Sequence, residues 1–315
     1  MENNQNIWLE SVPWIDSQNA DIDQFLRAKN LRNDFNLYEN LIEWRDRGVV
    51  VFKDVVPFEL IEALESDLEY LIKNYMDFDL MAEVKAVIKP ISEFSPFEIV
   101  ESNVKFNSIH GISKAAVMLS LNRSISQFLA CVFDAPPAVL QSLTFFKGSQ
   151  QPIHIDYPYV RTQKKIAHLA ASWIALEDID LNSGPLIYYP GSHKIEISGF
   201  YDWGNGSIVM DADSRREPMD FSRYLEKRVA LFGIEPEIFC PKKGDALIWH
   251  GNLMHAGSAV NDKNLTRKSY VTHYTSLDSY PDDFKVSDEN KFVHQNSGYC
   301  FEYPWVINSK KLPSW

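Results

Sequence analysis

Residues 140–156 read LQSLTFFKGSQQPIHID, and two short runs within them set the reading of the chain. Leu140–Phe146 is a strand-like run, a polar Lys147-Gly148-Ser149 stretch interrupts it, and Ile153–Asp156 is the next run. The same texture continues C-terminally, with strand-like runs at His168–Leu176, Pro185–Tyr189, Asp245–Trp249 and Ser269–Tyr274. Several short runs separated by turns predict a barrel or a sandwich. Aromatic residues make up 13% of the chain, which suits packing on pleated surfaces.

N-terminal to this region the pattern is mixed. Gly48 precedes Val49-Val50-Val51-Phe52, a β-branched run that predicts a buried strand. Pro57 then opens a predicted helix. Its apolar positions Leu60, Ile61, Leu64, Leu68, Leu71, Ile72 and Tyr75 share one face, and its acidic residues take most of the other. A second helix is predicted from Lys114 to Val132. Residues 1–35 read as an N-terminal extension with one short helix. Residues 36–139 read as helical support, 140–274 as the β core with a mixed-charge insert at 195–240, and 275–315 as an aromatic tail. No linker or repeat interrupts the 315 residues, so one domain is expected.

The totals exclude some classes of function. A net charge of −12 shows no basic footprint for nucleic acid. No apolar stretch has the length of a membrane span. Cys131, Cys240 and Cys300 are scattered and odd in number, which argues against a disulfide scaffold or zinc knuckle and for a reducing compartment. With no signal-peptide pattern at the N-terminus, a cytoplasmic location is expected. Nothing in the sequence addresses the oligomeric state.

In a strand, residues two apart point to the same face, so His154 and Asp156 project together with Ile155 opposite. One imidazole and one carboxylate on one face are two ligands of a facial triad. Alone, an H-x-D in a chain with eight histidines is weak. The third ligand must come from a distant strand. The stretch Gly244–Ser258, GDALIWHGNLMHAGS, supplies His255 beside small residues after an apolar strand and a bend. His250 is the rival ligand and reads as structural. His193, His168 and His273 read as turn or hydrogen-bonded core histidines, and His110 and His294 have no informative context. Arg267 follows a polar turn. Its guanidinium could hold a carboxylate through two parallel bonds, which a lysine cannot do. Lys147, Tyr157, Tyr159 and Arg161 could serve a carboxylate or the substrate mouth, but ordinary packing explains them as well. Arg215, Arg216, Arg223 and Arg228 read as a solvated helix face, and Trp203-Gly204-Asn205-Gly206 is no dinucleotide fingerprint.

The order of the motifs is more specific than any one of them. After the H-x-D come Trp173-Ile174-Ala175-Leu176-Glu177-Asp178, Asn182-Ser183-Gly184-Pro185-Leu186 and Pro190-Gly191-Ser192-His193-Lys194, then Gly244-Asp245, His255 and Arg267. This series resembles the phytanoyl-CoA dioxygenase family of Fe(II)/2-oxoglutarate oxygenases, from about Leu140 to Tyr274 and more weakly over Gly48 to Tyr75. The resemblance implies a mainly β fold with supporting helices around a double-stranded β-helix, the jelly-roll core also found in cupins. It implies Fe(II) held by His154, Asp156 and His255, and a 2-oxoglutarate cosubstrate whose C5 carboxylate meets Arg267. Gln141 stands where such proteins place an amide that reaches the cosubstrate, and Trp173 where the family has a tryptophan. Ser258 joins this group, although His255-Ala256-Gly257-Ser258 departs from the more usual His-Gly-Ser.

The implied reaction consumes O₂ and 2-oxoglutarate and releases succinate and CO₂ as a small or medium-sized metabolite is hydroxylated. Related halogenases replace the carboxylate of the triad with a small residue; Asp156 keeps it, which favours hydroxylation over halogenation. Two other readings stay open at this stage. One is a cupin-like metalloenzyme that needs no 2-oxoglutarate and no Arg267. The other is a β-helix binding module that has lost its metal.

Overall fold

The computed structural model describes the chain except for residues 1–11, 32–34, 85–86, 102–103, 161, 163, 166, 196–217, 285–291, 303–305 and 307–308. Arg161, Arg215, Arg216, Tyr303, Trp305 and the Trp203–Gly206 stretch lie outside the described residues. In chain order the elements are α1 (Ile22–Ala28), α2 (Phe35–Arg47), β1 (Val49–Phe52), α3 (Phe58–Lys73), β2 (Met81–Val84), β3 (Val87–Pro90), α4 (Pro96–Glu101) and β4 (Lys105–Asn107). Then come α5 (Lys114–Ser120), α6 (Arg123–Phe133), β5 (Pro137–Phe145), β6 (Ala170–Ala175), β7 (Leu186–Tyr188), α7 (Pro218–Leu231) and β8 (Glu237–Phe239). The last are β9 (Ala246–His250), β10 (His255–Gly257), β11 (Ser269–Ser276), β12 (Phe292–Gln295) and β13 (Gly298–Phe301).

A major sheet runs β1-β9-β6-β11-β5-β4-β2-β3, with antiparallel neighbours throughout. A minor sheet runs β10-β7-β8. Two antiparallel sheets of this kind form the walls of a double-stranded β-helix.

Both faces of the major sheet are covered, and its central strands show it residue by residue. In β9, Ala246 and Ile248 join the core under the helices, while Leu247 and Trp249 join the core between the sheets. In β1, Val50 faces the helices and Val49 the minor sheet; in β11, Tyr270 and Tyr274 face the helices and Val271 the minor sheet. The period of two therefore sorts side chains between two apolar environments, which is why β1 (VVVF) and the start of β9 (ALIW) read as unbroken apolar runs. The buried hydroxyls of Tyr270 and Tyr274 are paid for by α5: they donate to the Ala116 and Ser120 carbonyls at 3.1 and 2.8 Å.

Two expectations change in the folded chain. The helix expected over 114–132 is two helices, bent by 48°. The break follows from Asn122, whose side chain accepts from Ser124 N and Ile125 N and so starts α6 as a new N-cap. The segment read as helical support carries, besides the expected strand β1, the strands β2, β3 and β4, which widen the major sheet beyond β5. The C-terminal tail is built into the fold: β13 touches β5, and Ser314 bonds the buried Asp67 of α3. Among the described residues no single helix is long and apolar enough to cross a membrane.

Candidate metal centre and cosubstrate cavity

His154 and Asp156 do not lie on a full strand, as expected, but at a single bridge. His154 N donates to His255 O at 2.9 Å and His255 N to His154 O at 3.0 Å, while Asp156 N donates to Gly251 O at 3.0 Å. Two segments about a hundred residues apart in sequence are thus locked together by backbone bonds at the ligand positions themselves. Behind them, Ile153 and Ile155 pack with Met254 and with Phe221, Leu225 and Val229 of α7. The helix inside the 195–240 insert therefore braces the back of the H-x-D segment. Gly257 closes the approach of the neighbouring loop: a Cβ there would sit 2.7 Å from both Gln150 N and Ser149 Oγ.

The side chains converge. Ligand atoms of His154, Asp156 and His255 all lie within 4.8 Å of one another, and all three residues are buried. His154 Nδ1 is 2.8 Å from the Pro152 carbonyl, and His255 Nδ1 is 2.8 Å from the Leu253 carbonyl. A carbonyl only accepts, so each Nδ1 carries the proton and each Nε2 keeps a lone pair for a metal. Trp249 Nε1 donates to Asp156 Oδ2 at 2.7 Å. The other oxygen, Oδ1, lies 3.5 Å from His255 Nε2 and 3.6 Å from His273 Nε2.

Burial, aided by His255, pushes the His154 imidazole down to about 3, so it is neutral across the physiological range. Burial also works to lower His255, but the charge and hydrogen bond of Asp156 outweigh it and raise it above its ordinary value. For Asp156, burial alone would raise the carboxyl; the imidazoles of His255 and His273 hold it well below the usual range. The donor set is thus one carboxylate and two imidazole Nε2 atoms on one wall, a facial arrangement that suits Fe(II) and leaves other positions open.

The same cavity reaches Arg267. Its lining includes His154, Asp156, His255, His273, Trp173 and Arg267. Arg267 is 2% exposed, yet among the described residues its guanidinium makes one hydrogen bond, from Nη1 to the Gly184 carbonyl at 3.3 Å, and its Nε has no partner. Its guanidinium carbon lies 5.5 Å from the Phe145 ring and 5.8 Å from the Trp173 ring. Burial pushes it down to about 10, so it stays charged near neutrality. Among the described residues no carboxylate pairs with it. A buried cation without an anion is a costly feature unless a ligand supplies the charge, and a dicarboxylate spanning from metal to Arg267 does so.

The other expected residues fall as follows. Trp173 lines the cavity. Gln141 shares the face of β5 with Leu143 and Phe145, which line the cavity, and sits opposite His273 in register. Ser258 is not brought to the cavity: its backbone N and its Oγ both donate to the Pro185 carbonyl, at 3.0 and 2.8 Å. Its hydroxyl is used in holding the end of β10 to the start of β7. Lys147 Nζ reaches the Lys263 carbonyl at 3.1 Å on the surface. His250 points away, toward Asp16 Oδ2 at 3.2 Å, and its Nδ1 accepts from Asn252 N. His193 donates from Nε2 to the Arg45 carbonyl at 3.2 Å, and a Cβ on Gly48 would lie 2.4 Å from its Nδ1, which explains the glycine there together with its φ of +73°. His168 bonds Ser276 and His110 bonds Ser142, both as core histidines. Tyr159, itself half-exposed, meets the His154 ring edge-on at 5.7 Å.

Two site groups have no place in the expected set. His273 is not a hydrogen-bonded core histidine, since its Nδ1 has no partner and it faces Asp156. Trp249 bonds the carboxylate directly. Strand parity could have found His273, because Arg267, Val271 and His273 are separated by even numbers and line one cavity.

The sequence profile described as phytanoyl-CoA dioxygenase matches residues 44–269. The human peroxisomal phytanoyl-CoA dioxygenase is 22% identical over 275 residues, covering 85% of this chain and 77% of that protein. A phytanoyl-CoA dioxygenase domain-containing protein 1 homolog from Caenorhabditis elegans is 24% identical, covering 53% of this chain, which spans only 56% of that protein. Among solved structures, the epimerase SnoN of nogalamycin biosynthesis, determined with Fe³⁺ and α-ketoglutarate, superposes with a TM-score of 0.57 at 12% identity, over 85% of this chain and 98% of that one. EctD from S. alaskensis with bound Fe gives 0.54 at 14% identity, over 84% and 81%. At such identities the structural likeness shows the shared β-helix fold.

Proposed function

The chain belongs to the phytanoyl-CoA dioxygenase family of Fe(II)- and 2-oxoglutarate-dependent oxygenases, and from that premise we propose that it hydroxylates a C–H bond of a small or medium-sized metabolite. His154, Asp156 and His255 hold the Fe(II) in this reading, and Arg267 receives the C5 carboxylate of 2-oxoglutarate. One observation carries it: two imidazole Nε2 atoms and a carboxylate oxygen share a buried cavity with a guanidinium that, among the described residues, meets no carboxylate. A metalloenzyme without a dicarboxylate cosubstrate gives no reason for that cation.

Bound Fe(II), with 2-oxoglutarate and O₂, supplies an oxidant able to replace hydrogen by hydroxyl at an unactivated carbon, with release of succinate and CO₂. The protein's part is placement. The Pro152 and Leu253 carbonyls fix the tautomer and tilt of the two imidazoles. The guanidinium, sandwiched by Phe145 and Trp173, orients the cosubstrate from its far end. The apolar wall of Leu143, Leu186 and Val271 excludes water from the space between.

The direct test is succinate formation from 2-oxoglutarate by the purified chain, with slow turnover expected even without the true substrate. Formation should require both added Fe(II) and O₂. Full iron-dependent activity in His154→Ala would overturn the ligand assignment.

A further inference from the structure

Trp249 occupies a place that ordinary packing does not require. It lies on β9 opposite Val49 and Ala171, with its ring on the cavity side of the sheet. Its ring centre is 5.3 Å from that of His255, tilted by 59°, and 6.4 Å from that of His273, edge-on, so one indole touches both imidazoles. An indole N–H is a donor only, and a buried one needs an acceptor. Here the acceptor is Oδ2 of Asp156, at 2.7 Å, and the oxygen left over, Oδ1, is the one nearest His255 Nε2.

We propose that Trp249 is a positioning residue that fixes which oxygen of Asp156 is offered to the metal. The N–H occupies Oδ2, restrains rotation of the carboxylate, and leaves Oδ1 facing the Nε2 atoms of His255 and His273. With phenylalanine at this position the apolar contacts with the β-strand neighbours largely persist, but the carboxylate is free to rotate. Among the described residues Trp249 Nε1 is the nearest side-chain donor to Asp156, at 2.7 Å, while the Nε2 atoms of His255 and His273 stand farther off, at 3.5 and 3.6 Å. The inference rests on the reading of His154, Asp156 and His255 as the metal ligands.

The test is metal binding, measured without turnover. Apo wild type and Trp249→Phe are titrated with Mn(II), with free Mn(II) read by EPR, and the visible spectrum of the Co(II)-loaded proteins is recorded. Loss of an outer partner of a metal ligand typically costs 10–100-fold in affinity, so the Mn(II) Kd should rise by about that factor, and the Co(II) bands should shift. Trp44→Phe removes a buried indole from the helical core, away from the carboxylate. It should bind Mn(II) as the wild type does, even if its thermal midpoint falls. A Trp249→Phe protein that is folded, binds Mn(II) within twofold of wild type and keeps the Co(II) spectrum overturns this inference alone. Failure of the wild type to bind Mn(II) or Fe(II) overturns the proposed function instead. Should Trp249→Phe not fold, wild type labelled with ¹⁵N-tryptophan decides. At least one indole N–H resonance should move on saturation with Zn(II), and no movement of any indole resonance counts against the inference.

Discussion

At one end of the cavity each ligand side chain is held by a short hydrogen bond within the protein; at the other, Arg267 makes one long bond and, among the described residues, meets no carboxylate. Each imidazole of the triad is tied through Nδ1 to a carbonyl, and Asp156 is tied to Trp249. Arg267 is equally buried but makes one long bond to a carbonyl and leaves Nε unpartnered. The metal end is thus preset in geometry, with its charge shared between the Asp156 carboxylate and its imidazole neighbours. The arginine end is preset in charge, and waits for a ligand to neutralise it. Presetting orientation costs little when the partners are neutral carbonyls, whereas a buried unpaired cation is a standing cost to folding. The two ends should therefore respond differently to mutation.

The largest effect is expected at the metal end. Structural zinc sites gain roughly 10–16 kcal/mol from four ligands, so one ligand is worth roughly 3 kcal/mol and a factor of more than about 100 in affinity. His154→Ala should lose at least that much Mn(II) affinity in a titration, and a variant that binds within a few-fold of wild type would move the metal site elsewhere. Arg267→Met comes next and separates the ends most sharply. It should leave Mn(II) binding unchanged but weaken 2-oxoglutarate binding to the metal-loaded protein by about 2–5 kcal/mol, the usual cost of removing one partner of a buried charge pair. At the same time the apo protein should melt higher, since a desolvated charge has been replaced by an apolar chain of similar length. A lower apo melting temperature would mean that the cation is already compensated within the protein.

A smaller and graded difference is expected with pH. Ligation needs neutral imidazole. His154, held down to about 3, is neutral throughout the working range and contributes no pH dependence. His255 is raised, so a proton competes with the metal for its Nε2. The sign follows: Mn(II) affinity should improve as pH rises through the raised value of His255, by at most about tenfold per pH unit for one displaced proton, and then level off. Arg267 at about 10 keeps its charge over the same range, so 2-oxoglutarate affinity at saturating metal should stay flat between pH 6 and 8. Isothermal titration in buffers of different ionisation enthalpy would count the proton released at the metal end.

How much of this is legible in the sequence depends on whether the signal is local. The strand-like runs Asp245–Trp249 and Ser269–Tyr274 are a local property, and the folded strands β9 (Ala246–His250) and β11 (Ser269–Ser276) fall on them. The convergence of His154, Asp156, His255 and Arg267 on one cavity is not local, and only the order of motifs along the chain points to it. Trp249 hides because an inward tryptophan in an apolar strand looks like core, and nothing in its neighbours says that its N–H meets a carboxylate. Ser258 misleads for the opposite reason. A serine beside a ligand histidine suggests a site role, but two bonds to the Pro185 carbonyl consume its hydroxyl and N–H. The break at Asn122 is written in a single residue, whose side chain competes for the backbone inside an otherwise continuous apolar pattern.

The smallest expected effect on the site comes from α7, and it tests how far the presetting of the metal end extends. The mixed charge of the insert reads as a solvated helix face. Yet Phe221, Leu225 and Val229, spaced four apart, turn one apolar face onto Ile153, Ile155 and Met254. Those three residues flank the ligands His154, Asp156 and His255 in sequence, so the helix bears on the ligand segments from behind. Leu225 is fully buried, and Leu225→Ala should cost about 2–5 kcal/mol of stability, seen as a lower melting temperature. The backbone bonds between His154 and His255 remain in that variant, so the ligands should stay paired and Mn(II) affinity should fall only a few-fold. A fall as large as that of His154→Ala would show that α7, and not the His154–His255 bridge, sets the geometry of the metal end. No fall at all would confine the presetting to the bridge, the two carbonyls and Trp249.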